Sequence, residues 1–433
     1  MNYYTSSIHT KSWVLLIGIL FILPFVGGVR GGLILAQNHE ILDGNIRTLQ
    51  VVAGDRWTEM PLIKLNGSRT NDVLHISFDD MTHDYRRFSY KVQHCEADWT
   101  PSNALFESDF IDGFYDGLTI DDVKESFNTQ MLYTHYKFTF PNSQCRLKMS
   151  GNYLLTIFDD NASEPVAKVC FMVCEDKAQV MLSMTPNTDI DNRKTHQQIE
   201  MQLRYNGISP TRPDSQIHTV VMQNQQWATA KWNAPWQYST MQGLEWQHCR
   251  GLIFDAGNEY HKYEILSVDH TTMGIDRIHW DGENYHVFPW AVEQQGSYVY
   301  EEDADGAFYI RNSDNYDNDF STEYVFVHYT FPVERKVEGD IYIDGQFTYG
   351  QYSPDYNMME YNPETGCYEA VILQKQGYYN YKLMQQLPNG TIRNLPLTGN
   401  FYETKNSYQA LVYFKDTTDR ADRLVGYCTI GGN

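Results

Sequence analysis

The densest cluster of side chains capable of chemistry is His94-Cys95-Glu96-Ala97-Asp98-Trp99. Histidine, cysteine and carboxylates are the residue types that hold metals. On a strand, however, His94, Glu96 and Asp98 share one face while Cys95 points to the other. The run reads instead as a strand end entering the turn Trp99-Thr100-Pro101-Ser102, with Trp99 packed and Asp98 bonding the turn backbone. Glu301, Asp303 and Asp305, followed by Gly306, imitate the opening of a calcium loop, which takes oxygen ligands at alternate positions and a glycine at the bend. The twelfth position is Asn312 rather than glutamate, and Tyr298-Val299-Tyr300 and Phe308-Tyr309-Ile310 read as flanking strands, so a hairpin turn is the expectation. Asp79-Asp80 and Asp159-Asp160 invite comparison with a glycosidase, whose carboxylates flank a sugar at roughly 5–9 Å. Neighbours on one strand face opposite ways, and both doublets follow apolar runs, where turn acids are ordinary. His83, His135, His248 and His261 show no ligand spacing. A Gly-rich phosphate loop, His-Glu-x-x-His, Gly-x-Ser-x-Gly and Cys-x-x-Cys are all missing. No catalytic, cofactor-binding or metal residue is assigned.

The elements that would hold these residues have a period of two. Leu74-His75-Ile76-Ser77-Phe78, Phe88-Ser89-Tyr90-Lys91-Val92 and Tyr136-Lys137-Phe138-Thr139-Phe140 alternate apolar with polar. So do Val325-Phe326-Val327-His328-Tyr329 and Tyr379-Asn380-Tyr381-Lys382-Leu383. Such alternation puts apolar side chains on one face of a half-buried strand. Asn66-Gly67, Asp112-Gly113, Asn206-Gly207, Asp281-Gly282, Asp305-Gly306, Asp344-Gly345 and Asn389-Gly390 punctuate the runs as turn dipeptides. The best candidate for a helical turn is Asp121 to Phe127. Many short strands with regular turns predict an all-β chain of two or three tandem, immunoglobulin-like β-sandwich domains. The expected divisions are 37–178, 179–330 and 331–433. The acidic stretch Asp314-Asn315-Tyr316-Asp317-Asn318-Asp319 reads as a solvated loop in preference to a contact for a basic rim.

The first 36 residues read as a cleaved signal peptide. Lys11 supplies a positive start, Trp13 to Val29 an apolar run broken by Pro24, and Ala36 a cleavage position. Removing them leaves 397 residues and takes away Lys11 and Arg30 but no acid, so the net charge moves from −22 to −24. That acid excess argues against nucleic acid and against an anionic membrane surface, and suits a basic partner. No later stretch is long enough to span a bilayer as a helix, so no direct lipid insertion is expected. There are seven cysteines. Cys170 and Cys174 would lie ~13 Å apart on a strand, too far to bridge. The spacing dictates no other pairing.

In the last unit, Gly339 to Phe347, Gly366 to Ala370 and Gly377 to Lys382 resemble immunoglobulin-like modules found beside glycan-active enzymes. Sugar binding there would need exposed, coplanar aromatics, for which Tyr352, Tyr356 and Tyr361 are candidates. A secreted glycan-binding protein is therefore the alternative reading. A hydrolase would need a pocket with two carboxylates, or a nucleophile within reach of a base.

Several motifs resemble a known family. Tyr90 to Trp99 is similar to its strand ending in His-Cys-x-Ala-Asp-Trp, here His94, Cys95, Asp98 and Trp99. Phe110-Ile111-Asp112-Gly113-Phe114, Ser126-Phe127-Asn128-Thr129, Tyr133-Thr134-His135-Tyr136 and Ser150-Gly151-Asn152-Tyr153-Leu154 follow in the expected order. Phe254-Asp255-Ala256-Gly257-Asn258-Glu259-Tyr260 is similar to a Phe-Pro-Ala-Gly-Asn-Glu-aromatic motif, with Asp255 where Pro is expected. Ala307 to Asn312 and Glu323 to Val327 also fit. The chain thus resembles the type IX secretion system plug family of Bacteroidetes over nearly its whole mature length. The resemblance implies a non-catalytic, periplasmic plug without a cofactor, associated with the outer membrane, that closes the periplasmic mouth of the system's β-barrel translocon. It leaves open whether the motif residues (Asp112, Gly113, Asn128, His135, Tyr136, Gly151, Asn152, Tyr153, Gly257, Asn258 and Glu259 among them) build the fold or contact the partner.

Overall fold

The alternating segments do become strands, and the way their faces are covered decides where the units meet. The computed structural model describes residues 38–68 and 70–431; the expected leader lies outside them. Strand accounts for 46% of the chain and helix for 6%, so the chain is all-β. No helix among the described residues is long and apolar enough to cross a membrane.

The first unit is a sandwich. One sheet runs in the order Glu40–Ile41, Glu164–Cys174, Gly151–Asp159, Phe88–Cys95, Leu118–Thr119, with Leu62–Lys64 parallel to Glu164–Cys174. The other runs Ile46–Ala53, Leu74–Asp80, Thr134–Phe140, Asp122–Glu125. Their inner faces share one core that includes Ile76, Phe78, Tyr90, Val92, Tyr136 and Tyr153. The segment expected to make a helical turn near Asp121 to Phe127 is instead the edge strand Asp122–Glu125, because its backbone pairs with Thr134–Phe140 in a hairpin. Asp112-Gly113, expected at a turn, ends the short strand Ile111–Gly113, which pairs with Cys145–Leu147.

The middle unit pairs a five-stranded sheet built on Gln179–Thr185 and His196–Arg204 with a four-stranded sheet. The latter is ordered Lys231–Trp232, Ile217–Gln223, Tyr408–Phe414, Arg423–Ile430. Half of this sheet comes from the end of the chain. Every residue of Tyr408–Phe414 is buried. One face, with Ala410 and Val412, joins the middle core, and the other, with Leu411 and Tyr413, joins a cluster shared with the first unit.

The third unit is a ten-stranded sheet with Met358–Asn362 and Cys367–Lys375 at its middle, Gly377–Gln386 next to one end of the strand order and Ile275–Trp280 at the other edge. It folds over on itself: Tyr263 and Tyr329, from separate parts of the strand order, are in hydrogen-bond contact at 2.5 Å inside its core. Tyr324–Pro332 runs across the expected cut at 330/331, and the strands of 331–433 divide between the middle and third units.

Gly113 has φ +112°, and a Cβ there would sit 2.1 Å from the Gln144 carbonyl oxygen. Gly44 has nothing within 4 Å of that position. Gly113→Ala is expected to lower unfolding stability by about 2 kcal/mol, while Gly44→Ala leaves it nearly unchanged. Urea titration of both variants checks this, and equal midpoints would remove the steric account of Gly113.

Candidate functional site

Alternation predicts that the polar residues of Leu74–Asp80 and Thr134–Phe140 face solvent. At one end of the sheet they do not. His75, Ser77 and Asp79 lie on the outer face, opposite Thr139, Lys137 and His135 respectively, and burial rises along that row until Asp79 and His135 are enclosed. What covers them is the outer face of the third unit, through Lys375 and its cross-strand partner Tyr324. Lys375 Nζ donates to Asp79 Oδ2 at 2.7 Å and to the Asp319 carbonyl at 2.6 Å. Both charged side chains are only 1% exposed. Tyr324 OH donates to Asp79 Oδ2 at 2.7 Å, and Thr48 Oγ1 lies 2.6 Å from that hydroxyl. His135 Nδ1 is 2.6 Å from Asp79 Oδ1, and the Tyr133 ring lies 4.1 Å from the lysine ammonium. Burial pushes the Asp79 carboxyl up, but Lys375 and His135 override it and hold it below the usual carboxylate value.

A second seam joins the first unit to the middle one, and here the His-Cys-x-Ala-Asp-Trp motif does its work. Asn152 Nδ2 donates to the carbonyls of Glu96 and Ala97 at 3.0 and 3.2 Å, and Tyr413 OH donates to Asn152 Oδ1 at 2.9 Å. The Ala97 amide donates to Asp422 Oδ2 and the Asp422 amide to Glu96 Oε2, both at 2.9 Å. Trp99 meets Trp227 edge-to-face at 5.6 Å. Cys95 is buried in the same cluster, and burial pushes its thiol up to about 12. His94 is buried between Ser102 Oγ at 2.9 Å and the Ser150 carbonyl at 3.1 Å, and burial lowers its pKa. It packs edge-on against Tyr153. Gly151 is required beside it, since a Cβ would come within 2.4 Å of His94 Nε2. Asp98 stays exposed and accepts from the Thr100 amide and hydroxyl at 3.0 and 2.6 Å, closing the turn.

The second-unit motif links the middle and third units. The Gly257 amide donates to Asn400 Oδ1 at 2.8 Å, and Asn258 Nδ2 donates to Gln295 Oε1 and the Thr398 carbonyl. Tyr298 OH and the Lys405 amide donate to Glu259. Burial raises Glu259 to about 6 despite the tyrosine. Asp255, standing in place of proline, puts a carboxylate 3.2 Å from His196 Nε2. Nearby, burial and the charge of Asp303 lift Asp305 to about 7. The expected hairpin around Asp305-Gly306 is not formed: Phe308–Ile310 is a strand, but Tyr298-Val299-Tyr300 is not, because residues 290–307 cross the surface to bond Glu259 and Tyr260 instead.

Tyr136 OH donates to the Arg86 carbonyl at 2.8 Å. The Arg86 guanidinium holds Asp43, Asp80 and Asp159 at 2.9, 3.4 and 2.8 Å. Asp80 and Asp159 are turn acids as expected, accepting from the Thr82 and Asn161 amides at 3.1 and 2.8 Å, and Arg86 also joins them in an ion-pair network that sequence separation had concealed. Asp112 and Asn128 stay exposed; Asn128 borders the first seam, one residue from Phe127, whose amide donates to the Phe320 carbonyl. Tyr352, Tyr356 and Tyr361 are half-buried and make no exposed row: Tyr352 OH donates to Asp344, Tyr356 OH to the Phe347 carbonyl, and Tyr361 packs on Tyr368. Among the described residues no group of three His, Cys, Asp or Glu is arranged for a metal. What the arrangement does chemically is hold three β units together through buried polar contacts.

The family model described as the type 9 secretion system plug protein first domain matches residues 46–175. A crystal structure of a hypothetical protein from Parabacteroides merdae is 32% identical, with a TM-score of 0.87, over 91% of this chain and 99% of that one. The chain belongs to the type IX secretion system plug family. The C-terminal domain of the Streptococcus pyogenes antigen I/II-family protein AspA aligns with 90% of this chain and 100% of its own, at 9% identity and a TM-score of 0.18, too low to bear on the fold. No curated protein matches the chain. The plug-family match ends at Glu175, where the first unit meets the middle one. Lys375, Asp422 and Tyr413, which lock that matched domain to the rest, all lie outside it.

Removing one partner of a buried pair leaves the other charge uncompensated. Lys375→Met is expected to cost about 3–5 kcal/mol, and Lys375→Met with Asp79→Asn to cost less than Lys375→Met alone. Urea unfolding of the two variants checks this; an additive double variant would show that the charges do not interact. Glu259 and Asp305 have folded pKa values above their unfolded ones. Their contribution to stability is thus full below about pH 4 and is lost as pH rises through 6 and 7. Asp305→Asn should make the decline in urea midpoint between pH 5 and 8 shallower than in the wild type. Parallel curves would place Asp305 in solvent.

Proposed function

We propose that this chain is the non-catalytic plug subunit that closes the periplasmic end of the outer-membrane type IX translocon. The observation that carries the reading, beside the family membership, is the buried Lys375–Asp79 pair with the polar seam at Asn152, Tyr413 and Asp422. A body that blocks a wide pore must not shear between its own parts, and these contacts hold separate β units in one orientation. The carboxylates that a hydrolase would need are occupied with internal partners: Asp80 and Asp159 with Arg86, Asp79 with Lys375, Glu259 with Tyr298. The chain works on the periplasmic side, exported by residues 1–36 and associated with the outer membrane through its β-barrel partner.

The same contacts support dividing the molecule into three units: residues up to 178; 179–255 together with the strands of 408–430; and 261–394. The motif residues His94, Cys95, Trp99, His135, Tyr136, Gly151, Asn152, Tyr153, Gly257, Asn258 and Glu259 serve to dock these units or fix their turns. They do not touch the partner.

A tag after Asn433 and extraction of native envelopes in mild detergent test the function. A very large outer-membrane barrel should be recovered in near-equal amount and be missing from a mock-tagged strain. Recovery of the protein alone, with the barrel present in the extract, would sink the plug reading.

A further inference from the structure

The motif Ser126-Phe127-Asn128-Thr129 is set apart from the buried motifs, because its aromatic ring faces outward: Phe127 is 71% exposed. The same loop exposes Leu132 (49%), and two neighbouring loops expose Tyr85 (71%) and Tyr316 (74%). The loops are tied to one another. The Phe127 amide donates to the Phe320 carbonyl at 2.8 Å, Tyr133 OH to the Thr322 carbonyl at 2.8 Å, and His83 Nδ1 lies 3.3 Å from the Tyr133 carbonyl. Their base is charged and buried. The carboxylate of Glu323 accepts from the amides of Gln130 and Met131, and Lys375 donates to the carbonyl of Asp319. The acidic stretch is exposed over residues 314–317 as expected, and it is also an ordered turn, helical over Asn318–Ser321 and closed by Ser321 Oγ donating to the carbonyls of Tyr316 and Asp317.

Exposed apolar side chains scattered singly need no explanation, whereas a cluster on a fixed base marks an interaction site. The unpaired charge around this cluster is acidic. Asp84, Asp314 and Asp317 are exposed, and none makes an ion pair among the described residues. The nearby bases are engaged: Arg86 with three carboxylates, Arg87 with Asp160, Lys137 with Asp319, and Lys124 over the Phe320 ring.

We infer that the knob formed by the loops at Tyr85, Phe127–Leu132 and Tyr316 is the contact surface for the plug's protein partner, seated in an apolar socket rimmed by lysine or arginine. The inference rests on the plug reading and makes the outer-membrane barrel the owner of that socket. Apolar rings at the centre of such a contact supply binding energy once desolvated, and the acids at its edge supply steering and register. The geometry also couples seam to surface. Lys375 and Glu323, which join the first and third units, are the groups that set the spacing of the two loops, so the contact surface exists only when the units are docked.

The test uses the full-length tagged protein in native envelopes, read as barrel recovered per molecule captured. Phe127→Ser with Tyr316→Ser removes two exposed rings and none of the backbone contacts that shape the loops, so its melting temperature should match the wild type. Barrel recovery should fall at least tenfold. Asp314→Lys with Asp317→Lys reverses the rim charge without touching the apolar centre; recovery should fall, and should do so most at low salt. Phe106→Ser, at an exposed ring of another loop, should leave recovery unchanged. If the wild type carries the barrel and both double variants carry it equally well, the knob is not the contact and the plug reading stands. An equal loss in Phe106→Ser would likewise overturn the assignment of the surface. A wild type that carries no barrel would overturn the plug reading and this inference together.

Discussion

The structure depends on a lysine and an aspartate that have been taken out of water. Moving either charge alone into a protein interior costs several kcal/mol or more. Lys375 and Asp79 are tolerable there only because each is met by the other and by further groups. The lysine has the Asp319 carbonyl and the Tyr133 ring, and the aspartate has Tyr324 and His135. These partners come from the first and third units alike. Any relative displacement of the units that separates the pair exposes both to the full cost of burial. An apolar seam of the same area would tolerate sliding, since apolar contact is non-directional. The pair and its hydrogen bonds set one geometry.

The seam between the first and middle units follows the same logic with different groups. Its apolar part is a cluster of methionines, cysteines, leucines and tryptophans, in which the methionines and cysteines fill irregular gaps without imposing a register. Register comes from the polar edge, where Asn152 bridges the turn carbonyls of Glu96 and Ala97 to Tyr413, and Asp422 holds the backbone of the same turn. The turn is shaped by Asp98 on its outside and by the positive φ of Trp99, 67°. The cluster that looked most like a metal site is thus a docking turn. Its histidine is buried between a serine hydroxyl and a backbone carbonyl, its cysteine is a packed thiol, and its acids hold backbone.

The sequence was informative where interactions are local and silent where they are not. Period-two alternation located the strands at Leu74, Phe88, Tyr136, Val325 and Tyr379, because each strand's inner face packs on its own core. The turn at Asp98 was legible for the same reason. Lys375 was not, since a lysine ending a strand ordinarily reaches solvent, and only a strand nearly three hundred residues away makes it otherwise. The hairpin expected around Asp305 failed because residues 290–307 are drawn to Glu259 and Tyr260. The strands of 408–430 belong with the middle unit because Ile217–Gln223 offers an open edge that no nearer segment fills. Asp79-Asp80 and Asp159-Asp160 looked like two unrelated turns until Arg86 joined Asp80 and Asp159.

A division of labour follows within the family motifs. Those at His94, Gly151 and Gly257 lie where substitution meets a neighbouring atom or strands a buried donor, so they are constrained from inside the molecule. Phe127 and Asn128 meet no such constraint, for the ring is in solvent and the Asn128 backbone at φ 59° needs only a residue that tolerates the left-handed region. An aromatic ring in water lowers solubility and is neutral at best for stability, so fold energetics alone give no reason for it. The backbone beneath it is nonetheless held by Glu323, a carboxylate buried to 7% exposure that donates nothing and accepts from Gln130 and Met131. That carboxylate is met by three backbone amides, those of Gln130, Met131 and Tyr324, so the loop of exposed rings is already ordered in the isolated chain. A surface ordered in advance loses less entropy to its partner than one that must be ordered at the moment of binding.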